Sequence, residues 1–185
     1  QAMLGPVERL SAERLAAAGL APGGFVLVHP TATLATKGWP PDRFGAFIAQ
    51  VRAAYPALGV ALSAGPREAA TLDAVAAAAG AALPRFADLS VAELAALIDA
   101  AAFYVGCDSG PAHIAASLGK KMLLVWGSSN RTAWGPRSAA ARVVQLPFPC
   151  NPCPGYTCAA FDRPRCILDI TPGQVFAAFG ELVDS

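Results

Sequence analysis

The chain has 185 residues with 14 basic and 13 acidic side chains, a net charge of +1, 55% hydrophobic residues and only 15% charged ones. That length suits one domain with a real core, and the composition excludes a globally disordered chain. The near-neutral balance, with no basic stripe, argues against nucleic acid as a partner, and no apolar run approaches the roughly 20 residues of a membrane-spanning helix.

In chain order, Ser11 is placed to cap a short helix over residues 12 to 18, closed by Gly19. Phe25-Val26-Leu27-Val28 is a continuous apolar run, the pattern of a strand buried on both faces. A polar loop from His29 to Pro41 follows. Asp42 opens a helix whose stripe is Phe44, Phe47, Ile48 and Val51, and Pro56 ends it. Val60-Ala61-Leu62 reads as the next strand, and residues 67 to 79 as a helix stopped by Gly80. Ser90-Val91-Ala92-Glu93 is a capping box, so a helix runs to about Ala101.

Phe103-Tyr104-Val105 is a further buried strand, and Gly106 to Gly110 turns into a helix over about Pro111 to Leu118, with Gly119 as its stop. Met122 to Trp126 and Arg142 to Leu146 supply two more strands, and Thr171-Pro172 starts a final helix ending near Val183. Strands alternate with helices throughout. This predicts an α/β fold, a Rossmann-like doubly wound parallel sheet with helices on both faces. The whole of 1–185 reads as a single domain, with a Cys/Pro-rich insert at about 147–166.

Ligands of such sheets sit outside the carboxyl ends of the strands. No two of the 17 glycines stand two apart, so the dinucleotide fingerprint G-x-G-x-x-G is missing. The P-loop and the G-x-S-x-G nucleophile elbow are missing as well.

Two stretches carry chemistry. The first is Asp108-Ser109-Gly110-Pro111-Ala112-His113, between a strand and a helix. A helix N-terminus offers free N–H groups and a partial positive charge to a phosphate. Gly110 admits close backbone approach, and Asp108 suits sugar hydroxyls or the N–H groups of the turn. The competing reading makes Asp108 and Ser109 plain helix caps and His113 a core histidine. The second stretch, His29 to Pro40, sets Thr31, Thr33, Thr36 and Lys37 after a buried strand on the same edge. Lysine is a point charge fit for a departing diphosphate; Trp39 is expected to plug the core. Glu68, in a third loop of this edge, could accept both hydroxyls of a ribose or be an ordinary first-turn acid.

His-Pro-Thr-Ala at 29–32, then Lys37, Trp39-Pro40 and Asp108-Ser109-Gly110-Pro111-Ala112-His113 together resemble glycosyltransferase family 9, the ADP-heptose:lipopolysaccharide heptosyltransferases. The resemblance runs from about Phe25 to Val183 and implies the C-terminal, donor-binding half of a GT-B enzyme, with the N-terminal acceptor domain absent. It implies transfer of heptose, or a related sugar, from ADP-heptose to a lipopolysaccharide-core acceptor. It places Thr31, Thr33 and Lys37 at the donor's phosphates and sugar, and Glu68 at its ribose. Leu89 falls at the adenine pocket, and Asp108, Ser109, Gly110 and His113 around the sugar diphosphate. The stretch from His29 to Lys37 is one residue longer than in the heptosyltransferase I pattern, which leaves Thr31 and Thr33 as alternatives. The family's presumed catalytic base belongs to the other half, so no base is named here; Lys37 and Asp108 are candidates for stabilising the donor.

Cys150, Cys153, Cys158 and Cys166 gather in the Pro-rich insert, and Cys107 stands apart. A four-thiolate metal site needs such a cluster, although zinc ribbons usually show two C-x-x-C pairs and this insert has one. The family chemistry needs no metal, and no cofactor is expected. Cys107 reads as a small buried hydrophobe. The insert, lying after the last expected strand, is expected to be dispensable for donor binding. Two rival readings are a non-catalytic nucleotide-binding module and a metal-stapled interaction domain. Without a secretory signal the expected location is the cytoplasm, with the whole protein peripheral at the inner face of the cytoplasmic membrane. The chain starts Gln1-Ala2-Met3, as a piece of a longer protein would.

Overall fold

The computed structural model describes residues 13–153 and 155–185. Residues 13–17 form the expected first helix, although its cap Ser11 lies outside the described residues. The elements that follow are β1 (Phe25–His29), α1 (Pro41–Ala54), β2 (Gly59–Ser63), α2 (Ala69–Ala78), β3 (Arg85–Phe86), α3 (Val91–Ala100) and β4 (Phe103–Cys107). The second half adds α4 (Gly110–Ser117), β5 (Lys121–Trp126), α5 (Arg131–Trp134), β6 (Ala141–Gln145), α6 (Arg165–Leu168) and α7 (Pro172–Val183).

The six strands form one sheet in the order β3-β2-β1-β4-β5-β6, every neighbouring pair parallel. The apolar run of β1 is continuous because each face of the sheet is covered. Val26 and Val28 pack with Phe44, Phe47 and Ile48 of α1 and with Phe179 of α7. Phe25 and Leu27 pack on the other face with Leu97 and Ile98 of α3 and Ala112 of α4. Phe179 ties the first layer together, its ring 5.7 Å from Phe47 and 5.3 Å from Phe103. The α3 capping box is formed, with the Ser90 side chain accepting from the Glu93 N–H and the Glu93 side chain accepting from the Ser90 N–H.

The predicted doubly wound sheet is therefore the observed one. Three short elements were not expected from sequence. β3 is only a two-residue strand and α5 and α6 span four residues each, too short to leave a periodic pattern. The helix expected from residue 67 starts at Ala69, because residues 65–68 close a turn in which the Glu68 carboxylate accepts the Gly65 N–H at 2.9 Å. Among the described residues no helix is long and apolar enough to cross a membrane.

Connections reverse direction between β1 and β4, the central pair of the sheet. Such a switch point leaves a crevice at the carboxyl ends of the two strands, and the loops after β1 and β4 are the two singled out from sequence.

Candidate active site at the switch point

The loop after β1 is fixed at both ends. At its start His29, 5% exposed, lies between the Ser63 and Thr31 hydroxyls, with 3.0 Å to each from its two ring nitrogens. Burial pushes its pKa down to about 4, against the opposing pull of Glu68's negative charge, so the ring is neutral at pH 7. At the loop's end Trp39 plugs the core as expected: 2% exposed, its indole N–H donates to the Ile170 carbonyl at 2.9 Å and its ring meets Phe44 edge-on at 4.9 Å. Between them, the N–H groups of Lys37 and Gly38 both bond the Leu34 carbonyl. This turn aims Lys37 across the crevice.

Lys37 Nζ lies 2.8 Å from Asp108 Oδ2 at the end of β4. The carboxylate is 7% exposed and also accepts the Ser129 hydroxyl at 2.6 Å. Asp108 is thus not a helix cap. Ser109 occupies the N-cap position of α4 with no side-chain cap bond. Pro111 has no N–H and the Ala112 N–H donates to the Ser109 carbonyl at 3.1 Å, which leaves the Gly110 N–H open at the helix start. The Ser109 Oγ is buried without a partner at full hydrogen-bond geometry, beside the equally buried Tyr104 hydroxyl. A side chain at Gly110 would meet only open space, and His113 is exposed rather than a core histidine. Cys107 is fully buried and receives the Trp39 N–H; burial raises its thiol to about 12, so it packs as the small hydrophobe expected.

These groups surround an open cavity of about 680 Å³. It gathers Thr33, Lys37, Asp108, Ser109, Gly110 and His113 from the residues selected by sequence. Thr31 lies outside it, its hydroxyl bonded to His29. Glu68 and Leu89 are also outside, Glu68 beyond β2 and Leu89 beyond β3, along the same carboxyl edge; Leu89 packs on the α3 layer of the core. Lys37 and Asp108, singled out from sequence in two separate stretches, are bonded to each other.

Two further segments complete the wall and were missed. The loop after β5 supplies Ser129, Asn130 and Trp134. It is pinned by the Trp126 indole donating to the Ser129 carbonyl at 2.9 Å. Gly127 is required there, since a Cβ would collide with the Thr36 carbonyl. The signal was available: Gly127-Ser128-Ser129-Asn130 is a polar run directly after a buried strand on the same edge.

The cysteine insert supplies Cys153 and Tyr156. Two ties join this insert, expected from sequence to be dispensable for donor binding, to the rest of the wall. The Thr36 hydroxyl donates to the Gly155 carbonyl, and the Cys153 N–H donates to the Ser128 carbonyl at 3.1 Å. Gly155 adopts φ 85°, a left-handed conformation suited to glycine.

All five cysteines are unpaired. Cys150, Cys153, Cys158 and Cys166 line a second, smaller cavity of about 280 Å³. Burial first, and then the three neighbouring thiols, push Cys166 up to about 11. Among the described residues no three His, Cys, Asp or Glu side chains are arranged as metal ligands.

Fold and site define the class: a Rossmann-like α/β domain with a polar cavity at the switch point of its parallel sheet. The model of glycosyltransferase family 9 (heptosyltransferase) matches residues 6–162, and the chain belongs to that family. It is 32% identical over 118 residues to lipopolysaccharide heptosyltransferase 3 of Escherichia coli, a match covering 62% of this chain and 34% of that protein. Among solved structures, the E. coli ADP-heptose lipopolysaccharide heptosyltransferase II superposes with a TM-score of 0.77 at 21% identity, over 94% of this chain and 50% of that one. The E. coli heptosyltransferase WaaC with ADP superposes with a TM-score of 0.72 at 19% identity, over 94% and 48%. The chain thus spans about half the length of these solved relatives.

Proposed function

We propose that this chain is the C-terminal, donor-binding half of a heptosyltransferase, and that the switch-point cavity holds the diphosphate of ADP-heptose. One observation carries the reading: a lysine, an uncapped helix N-terminus and exposed backbone at Gly110 converge on one open cavity. An ammonium has three N–H donors, and Asp108 takes one of them. The remaining donors of Lys37 face the phosphates, while the α4 N-terminus offers the Gly110 N–H and its partial positive charge. As the sugar leaves, negative charge grows on the diphosphate, and both groups stabilise it. Asp108 acts through Lys37, holding the ammonium in place.

That WaaC has been solved with ADP supports an adenine nucleotide as the donor's carrier. Glu68 and Leu89, on the β2–β3 side of the same edge, are assigned to the ribose and the adenine. Of the two threonine alternatives Thr33 is favoured, because Thr31 is committed to His29. A second, N-terminal domain presents the lipopolysaccharide-core acceptor and the catalytic base, at the inner face of the cytoplasmic membrane.

The test is calorimetric titration with ADP of the wild type and of Lys37→Ala. A charge-assisted contact contributes roughly 1.5–3 kcal/mol, so the variant should bind ADP about tenfold more weakly or worse. Unchanged affinity, in a protein whose wild type binds measurably, would remove this site.

A further inference from the structure

Two large aromatic side chains stand in water beside this cavity. Trp134 is 64% exposed and Tyr156 77% exposed, and both line the space that holds Lys37 and Asp108. The other exposed large hydrophobics among the described residues, Val91, Leu118 and Phe161, do not line it. Apolar area left in water at a concave polar site marks a place where something binds.

Neither ring owes its position to a loose loop. Trp134 closes α5, whose cap is the Asn130 side chain accepting the Ala133 N–H at 3.1 Å. The Trp134 N–H itself bonds the Asn130 carbonyl at 2.9 Å. Tyr156 follows Gly155, which the Thr36 hydroxyl ties to the loop after β1. Two separate segments therefore bring aromatic surface to one cavity, next to groups that suit a diphosphate.

We infer that Trp134 and Tyr156 form the wall on which the sugar ring of the nucleotide sugar packs, and that they set the selectivity for that sugar. The inference rests on the donor-site reading above and names the sugar subsite of that site. A pyranose ring has polar edges and a face of C–H groups, and an aromatic face with its negative quadrupole attracts such C–H groups. Asp108, His113 and Asn130 stand in the same cavity as partners for ring hydroxyls.

The rival occupant of an aromatic wall is the adenine. Position argues against it. Trp134 belongs to the β5 side of the switch point, whereas Glu68 and Leu89 lie on the β2–β3 side, and the α4 N-terminus falls between. A nucleotide sugar laid across α4 with its base toward β2 carries its sugar toward β5.

The experiment titrates this chain with ADP and with ADP-heptose, in the wild type and in Trp134→Ala, Trp134→Phe and Tyr156→Ala. Both rings are largely exposed, so the variants should unfold at the wild-type temperature. ADP-heptose affinity should fall about five- to tenfold in each alanine variant, with ADP affinity unchanged and most of the loss restored in Trp134→Phe. Equal losses for ADP and ADP-heptose would put the base, not the sugar, on these rings and overturn the inference. No loss for either ligand, in a protein that binds both, would overturn it while leaving the donor site standing. A wild type that binds neither would sink the donor-site reading and this inference with it.

Discussion

His29 and Lys37 begin and end one loop, and the fold treats them in opposite ways. His29 is sealed, its two nitrogens satisfied by the Ser63 and Thr31 hydroxyls, and burial holds its pKa near 4. An unfolded histidine titrates at about 6.5, so between those values the unfolded chain binds the extra proton. The stability that the neutral ring contributes is complete above pH 6.5 and is lost as the pH falls toward 4. The loss reaches about 3 kcal/mol when 2.5 pKa units are converted at 1.36 kcal/mol each. Urea unfolding at pH 7.5, 6 and 4.5 should show this slope, and His29→Gln should flatten it; equal slopes in the two proteins would contradict the assignment. Lys37, by contrast, is left partly open to the crevice beside a buried partner. Sequence order flagged both Lys37 and Asp108, since each follows a buried strand. Their bond to each other was not legible, because it depends on the β1–β4 pairing, which no local pattern contains.

At the scale of elements, what sequence revealed depended on length and on caps. β1, β4 and β5 announced themselves as apolar runs because both faces are covered, α3 through its Ser90–Glu93 capping box and α7 through Thr171-Pro172 at its start. β3, α5 and α6 are too short for any period, and α5 carries part of the cavity wall, so that share of the site was hidden. The tie between the cysteine insert and the loop after β1 was hidden for a related reason. It rests on a bond between Thr36 and Gly155, 119 positions apart in the chain. The capping box also gives a clean control. Ser90→Ala should lower stability by about 1 kcal/mol, read as a shift in the urea midpoint, and leave ADP affinity alone. A drop in ADP affinity without a shift in the midpoint would mean that α3 belongs to the binding site.

At the scale of the whole molecule, the sheet order puts every loop that follows a strand on one edge, and the β1–β4 reversal opens the crevice there. On the proposed reading this half supplies only one wall of the transferase cleft, and the acceptor approaches from beyond that edge. These 185 residues should therefore fold and bind donor yet transfer no sugar to a lipopolysaccharide-core acceptor. Turnover by this chain alone, measured with radiolabelled ADP-heptose, would place a catalytic base within it. The central claim, that the diphosphate sits on the Lys37–Asp108 pair and the α4 N-terminus, is met most directly by a crystal structure of the chain with ADP-heptose. Phosphate oxygens should lie within hydrogen-bond distance of Lys37 Nζ and of the Gly110 N–H at the start of α4. A donor lodged instead in the neighbouring cavity of about 660 Å³, with its phosphates on Arg131, would contradict it.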